Sequence, residues 1–216
     1  ILKINGKTEI PPDEEAFSSC TASVEDAVRL GAEAIGYTCY VGSPRQDEDF
    51  AQFERIRREA ERAGMPVIMW AYPRGKYIEQ KGGRDSFYAV DYAARVAQEL
   101  GADVVKVNLP KVDEDKRALY PKPYNELKLS LKEMLEHMVS SAGRTLVIIS
   151  GGSKRTDDVL LEEVKTCLEA GVSGFIFGRN FWQRRFGEAL DMAGRITKLT
   201  QQVSHNAVEK AVAGAR

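Results

Sequence analysis

The sequence predicts an α/β protein built on a parallel sheet, and three observations predict it. Helical stretches end in glycine, at Gly31, Gly64, Gly101, Gly143 and Gly171. Each glycine leads into a short apolar strand that finishes in polar or glycine-rich sequence. The strand–helix unit recurs at roughly 30–40 residues, the spacing of parallel strands joined by crossover helices.

In order, a strand is expected over Ile1–Asn5 and a helix over Val24–Leu30, capped by Ser23, with Glu25 and Asp26 suiting its positive end. Strand Ala34–Val41, helix Glu48–Ala63 and strand Pro66–Tyr72 follow. Helix Ser86–Leu100, strand Asp103–Leu109 and helix Tyr124–Ser141 come next. Strand Thr145–Ser150, helix Asp158–Ala170, strand Ser173–Phe177 and helix Arg185–Leu199 complete the pattern. Each closing glycine fits the left-handed position just past a helix. Beyond Leu199, weak helical periodicity through Val203, Ala207 and Ala211 suits a tail that packs on the domain, meets another subunit or frays.

Two architectures share this alternation: an open doubly wound sheet and a (β/α)8 barrel of the TIM type. The barrel ordinarily has eight strands in about 250 residues; about six strands are counted here. Strand polarity favours the barrel. An open sheet is covered by helices on both faces and should be apolar on both. Several of these strands instead carry polar or amphipathic groups on one face near their C-terminal ends: Lys3 and Asn5, Trp70 and Tyr72, Lys106 and Asn108. That suits a barrel interior whose top layer is a site. The chain is therefore read as strands 3–8 of such a barrel, with the first two units missing. Residues 1–199 form the N-terminally incomplete barrel domain and 200–216 a C-terminal helical tail. The chain opens on Ile1 inside a strand-like run, so an upstream segment is expected.

With 216 residues there is ample chain for a core, and 43% hydrophobic with 29% charged residues is the balance of a water-soluble globular protein. A net charge of −1 gives no basic footprint for nucleic acid or an anionic membrane surface. No apolar run approaches the ~20 residues of a membrane span, and a signal peptide's layout is not seen. Cys20, Cys39 and Cys167 lack metal-ligand spacing and read as buried small residues in a reducing, cytoplasmic compartment.

The strand Val104–Leu109 places Lys106 and Asn108 on one face and Val105, Val107 and Leu109 on the other. An amine inside the barrel loses part of its preference for the charged form, and the neutral amine attacks carbonyls. A strand-end lysine whose ammonium reaches water fits the same residues. Trp70 reads as a core filler or a site wall, and Tyr72 as a core aromatic or a proton donor. Long connections follow three strands, at Gly42–Asp47, Pro73–Asp85 and Pro110–Pro123, on the face where barrels place their chemistry. Ser150-Gly151-Gly152-Ser153-Lys154 exposes backbone N–H groups ahead of a helix, and Phe177-Gly178-Arg179-Asn180 adds glycine and a cation at the next strand end. Loops after the last two barrel strands frequently bind phosphate. His137 and His205 lie in helical stretches away from strand ends, unsuited to a central base or a metal cluster. An interior lysine, a neighbouring tyrosine and a phosphate cradle make the parts of a metal-independent, cofactor-free Schiff-base enzyme acting on a phosphorylated ketone or aldehyde.

The strand-end set Trp70-Ala-Tyr72-Pro-Arg-Gly, Val105-Lys106-Val107-Asn108, Ser150-Gly151-Gly152-Ser153-Lys154 and Phe177-Gly178-Arg179-Asn180-Phe181-Trp182-Gln183 resembles the archaeal-type class I fructose-1,6-bisphosphate aldolases. That family includes 2-amino-3,7-dideoxy-D-threo-hept-6-ulosonate synthases and the thiolase of autoinducer-2 breakdown, and the resemblance runs from Ile1 to about Leu199. It implies a homo-oligomeric lyase of glycolysis and gluconeogenesis that cleaves fructose 1,6-bisphosphate reversibly. Lys106 would form the imine, Tyr72 would handle protons and Trp70 would line the site. Ser150, Gly151, Gly152, Gly178 and Arg179 would bind substrate. The family's Asp near the end of strand one has no counterpart in this chain. Related lyase or transferase chemistry on another phosphorylated carbonyl compound remains open, as does a non-catalytic phosphate-ligand-binding fragment.

Overall fold

Where each helix must stop and the chain must reverse into a strand, a glycine takes the left-handed turn. All five closing glycines have positive φ, and Gly101 at 88° is typical: its N–H reaches back to Gln98 while Ala102 N–H reaches Ala97. The computed structural model describes residues 1–214, with side chains through Val203. His205 and the last residues of the tail lie outside the described side chains.

The chain begins with β1 (Leu2–Lys3), β2 (Asn5–Gly6), a 3₁₀ turn (Asp13–Glu15) and β3 (Ser19–Cys20). Next come α1 (Val24–Arg29), β4 (Ile35–Cys39), α2 (Gln46–Arg62) and β5 (Val67–Ala71). Then follow α3 (Lys76–Glu79), α4 (Phe87–Glu99), β6 (Val104–Val107) and α5 (Leu131–Ser141). β7 (Leu146–Ser150), α6 (Asp157–Glu169), β8 (Gly174–Ile176), α7 (Arg179–Trp182) and α8 (Phe186–Gly214) complete the order. Among the described residues no helix is long and apolar enough to cross a membrane.

Six strands pair in parallel in the order β1-β4-β5-β6-β7-β8, each following its neighbour by a helical crossover, and form an open half-barrel. The six parallel strands match the number expected for strands 3–8. The core lies between the outer face of the sheet and the helices. Tyr37, Met69, Val105 and Val107 are fully buried there, with Phe53 of α2, Val90 and Ala94 of α4 and Leu135 of α5. The register aligns Thr38, Trp70, Lys106, Ile148 and Gly174 across the sheet on its inner face.

Several expected boundaries move. The first strand breaks at Ile4, because Asn5 and Gly6 leave the main sheet to pair antiparallel with Cys20 and Ser19; Cys20, expected to be buried, is exposed on that outlying ribbon, while Cys39 and Cys167 are buried. The helix expected from Tyr124 starts at Leu131, where Ser130 and Glu133 form a reciprocal capping box. The last helix runs through Leu199 without a break. Strand β6 ends at Val107, so strict alternation no longer governs Asn108 and Leu109, and both line the same cleft. Ser23 caps α1 as expected, in a capping box with Asp26, and the bonds from Ser23 hold that carboxyl down at about 2.

Candidate active site at the strand ends

Lys106 projects from β6 onto the inner face and is only 6% exposed, although that face is an open half-cylinder. Two aromatic residues of β5 and its end shield it. Its Nζ lies 5.5 Å from the Trp70 ring centre and 5.3 Å from that of Tyr72. Nζ donates a 2.6 Å hydrogen bond to Tyr72 Oη, which in turn lies 3.5 Å from Ser150 Oγ. Neighbouring strands thus bring amine, phenol and hydroxyl into one row. The indole fits because β4 places Gly36 opposite it: a Cβ there would stand 2.5 Å from the ring.

Beside this row opens a cleft of about 340 Å³, walled by Tyr72, Asn108, Ser150, Gly152, Ser153 and Arg179. Arg74, Arg84, Lys111 and Arg155 also reach it, so its wall is strongly cationic. Asp13 ties Lys7, Arg74 and Arg84 together. Burial opposes ionisation of Asp13, but the hydrogen bond from Lys7 and the charges of Arg74, Lys7 and Arg84 outweigh it and hold its pKa below the usual value. All three long loops remain on this side of the sheet, two of them supplying Arg74, Arg84 and Lys111. The first runs directly into α2, with Gly42 N–H bonded to Gln46 Oε1.

The two glycines of the loop after β7 differ in what they offer. Gly151 donates its N–H to Ile176 O of β8, so it offers no donor to an anion. Its lack of a side chain is what matters, since a Cβ would press into Phe177 and come 3.2 Å from that residue's Cα. Gly152 adopts φ 59° and lines the cleft. Arg179 Nε donates to Gly152 O at 3.1 Å, joining the loops after β7 and β8. Gly178 lets the Trp182 ring close over it, 2.8 Å from a would-be Cβ. Helix α6 begins only at Asp157, and Asp157 and Asp158 already meet its positive end.

Two residues outside the expected set matter. Asn180, quoted only as part of a motif, is fully buried and bonds to Gly151 O, Ser153 O and Arg155 N. A polar residue between Arg179 and an aromatic pair was the available signal. Lys3, read as inward-facing, is a second amine in the interior, its Nζ 5.7 Å from the Trp70 ring centre. The residue is accessible overall, yet partial burial of its ammonium, with Lys106 adding repulsion, lowers its pKa to about 8. It donates to Asn5 Oδ1 at 2.9 Å and to Asn5 O. His137 stays on the outer helical layer, 3.2 Å from the buried Asp91, which also accepts from Tyr124 at 2.6 Å.

Six parallel strands wrapped by helices, with an interior lysine and a glycine-lined cationic cleft at the strand C-termini, define a TIM-barrel-type protein. The chain belongs to the DeoC/LacD family of aldolases, whose sequence model matches residues 1–184. A class 1 fructose-bisphosphate aldolase of Thermoproteus tenax is 39% identical over 200 residues, covering 92% of this chain and 66% of the relative. An archaeal fructose-1,6-bisphosphate aldolase, solved with its catalytic Lys covalently bound to the carbinolamine intermediate of the substrate, superposes with a TM-score of 0.76 at 36% identity. That match covers 93% of this chain and 70% of the other. A fructose-bisphosphate aldolase from Slackia heliotrinireducens gives 0.80 at 29% identity, over 98% of this chain and 64% of that one. The chain thus spans about two thirds of the length of these relatives.

Proposed function

We propose that this chain carries the imine-forming half of a Schiff-base aldolase that cleaves fructose 1,6-bisphosphate reversibly. One observation carries the reading: Lys106 Nζ lies 2.6 Å from Tyr72 Oη at the rim of a cationic, glycine-lined cleft. Lys106 adds to the C2 ketone, and loss of water gives an iminium. The C3–C4 bond breaks into that electron sink as the C4 hydroxyl gives up its proton, releasing glyceraldehyde 3-phosphate and leaving an enamine. Tyr72 protonates the enamine at C3, and hydrolysis frees dihydroxyacetone phosphate and restores the amine. Trp70 lines the site, while Ser150, Gly152, Gly178 and Arg179 hold one phosphate, with Gly151 making room for the turn. Such fixation over the amine is worth ~7–11 kcal/mol of barrier. Arg74, Arg84 and Lys111 across the cleft suit a second phosphate, which favours a bisphosphate over a monophosphate substrate.

The test is reductive trapping. Borohydride with dihydroxyacetone phosphate adds a stable mass at Lys106 in an imine former. A mass on Lys3 alone, or on neither lysine, overturns the assignment. Measuring aldol cleavage beside hept-6-ulosonate synthesis and acetyl transfer separates the substrates. Residues 1–199 are taken as the barrel unit and 200–216 as its tail, in a cytoplasmic homo-oligomer. Phe186 and Leu190, exposed by 80% and 57% and one turn apart on α8, with Trp182 at the end of α7 exposed by 74%, support contact with another copy, and sedimentation measures it.

A further inference from the structure

The side chain of Asn180 is the centre of a network that the Schiff-base chemistry leaves unused. It is 0% exposed, in the short helix α7 that follows β8. Nδ2 donates to Gly151 O at 2.7 Å and to Ser153 O at 3.1 Å, while Oδ1 accepts from Arg155 N at 2.9 Å. Only one orientation of the amide fits, because a flip would set its oxygen against two carbonyls. Asn180 is itself held: its carbonyl accepts from Arg184 Nε at 2.6 Å, and Arg184, nearly buried, pairs with Asp157 Oδ1 at 2.6 Å. One amide from α7 therefore sets three points along the loop after β7.

The consequence follows from the planarity of the peptide. In a trans peptide the carbonyl and the following N–H point in opposite directions. Drawing Gly151 O and Ser153 O onto Asn180 turns the N–H groups of Gly152 and Lys154 away from it, while Arg155 N–H is occupied by Oδ1. We propose that Asn180 is a positioning residue, which aims the N–H of the cleft-lining Gly152 at a tetrahedral dianion in the cleft. This rests on the phosphate reading above. Asn180 would touch no substrate atom and would act only through the loop it holds.

Inorganic sulfate is the probe, since it stays dianionic from acid to neutral pH. Titrated into the wild-type chain, it is expected to shift the amide resonance of Gly152 and leave that of Arg155, held by Asn180, little changed. Shifts confined to other residues overturn the proposal. Asn180→Asp keeps size and the Arg155 bond but sets a carboxylate against two carbonyls, so the sulfate Kd should rise roughly tenfold or more at neutral pH. As pH falls, the variant carboxyl takes up a proton, regains one donor and loses its charge, and the ratio of variant to wild-type Kd should shrink. A pH-independent ratio marks a merely structural residue and overturns the proposal, as does an unchanged Kd. Absence of sulfate binding by the wild-type chain removes the phosphate reading together with this one. Trapping at Lys106 is scored separately and does not depend on Asn180.

Discussion

Gly36→Ala tests how the interior row is packed. A methyl group on Gly36 would stand 2.5 and 2.8 Å from two Trp70 ring carbons and 3.2 Å from Lys3 Cδ. Carbon atoms settle at about 3.5–4.0 Å, so the indole must retreat by about 1 Å. Overpacking of this kind costs about 1–3 kcal/mol. The displaced ring also loosens its contacts with the ammonium groups of Lys106 and Lys3, at 5.5 and 5.7 Å, each worth about 0.5–1 kcal/mol where water reaches it. The expected loss is about 2 kcal/mol, read as a lower urea midpoint at unchanged slope. A Trp182→Phe background leaves Trp70 as the sole tryptophan, and its emission should shift to the red. A parental midpoint with unaltered Trp70 emission would refute the idea that Gly36 makes room for the indole.

Tyr72→Phe removes only the hydroxyl that meets Lys106, so aldol cleavage should slow by roughly 10²–10⁴-fold while borohydride trapping persists; equal loss of both would assign Tyr72 elsewhere. Lys3, lowered to about 8 by partial burial, should react with a limiting acylating reagent along a titration centred near that pH. Its unfolded form stays protonated up to about 10.4, so this term raises stability as pH climbs between the two values. Lys3→Met should remove that rise, and an ordinary lysine titration would contradict the burial account. Asp91→Ala strips the buried acceptor of Tyr124 and His137. It should cost about 1.5–3 kcal/mol and quicken amide exchange across residues 108–130, and a change confined to the helices would contradict the anchoring role.

What could be read from the sequence follows local physics. Glycine after a helix and alternation in Val104–Val107 are set by neighbours a few residues apart, and there the expected elements appear. The pairing of Asn5–Gly6 with Ser19–Cys20 depends on a contact across an intervening loop, which no local period reports. The Tyr124 boundary moves because Leu127 and Leu131, four residues apart, extend the helical period upstream, while Ser130 and Glu133 set the true start. At the site, Lys106 and Tyr72 could be placed on the inner face because alternation along a strand is a simple count, whereas their meeting with each other and with Ser150 depends on register between strands. The occupation of Gly151 N–H and the reach of Asn180 were hidden, since both depend on how two loops meet.

A half-cylinder with β1 and β8 each paired on one side has bare rims of backbone donors and acceptors, among the described residues. Such rims accept further strands, from a preceding segment of a longer chain or, for residues 1–216 by themselves, from neighbouring molecules. For those residues by themselves, turbidity growing steeply with concentration, and slowed by a charged substitution along either margin, is the behaviour this geometry dictates.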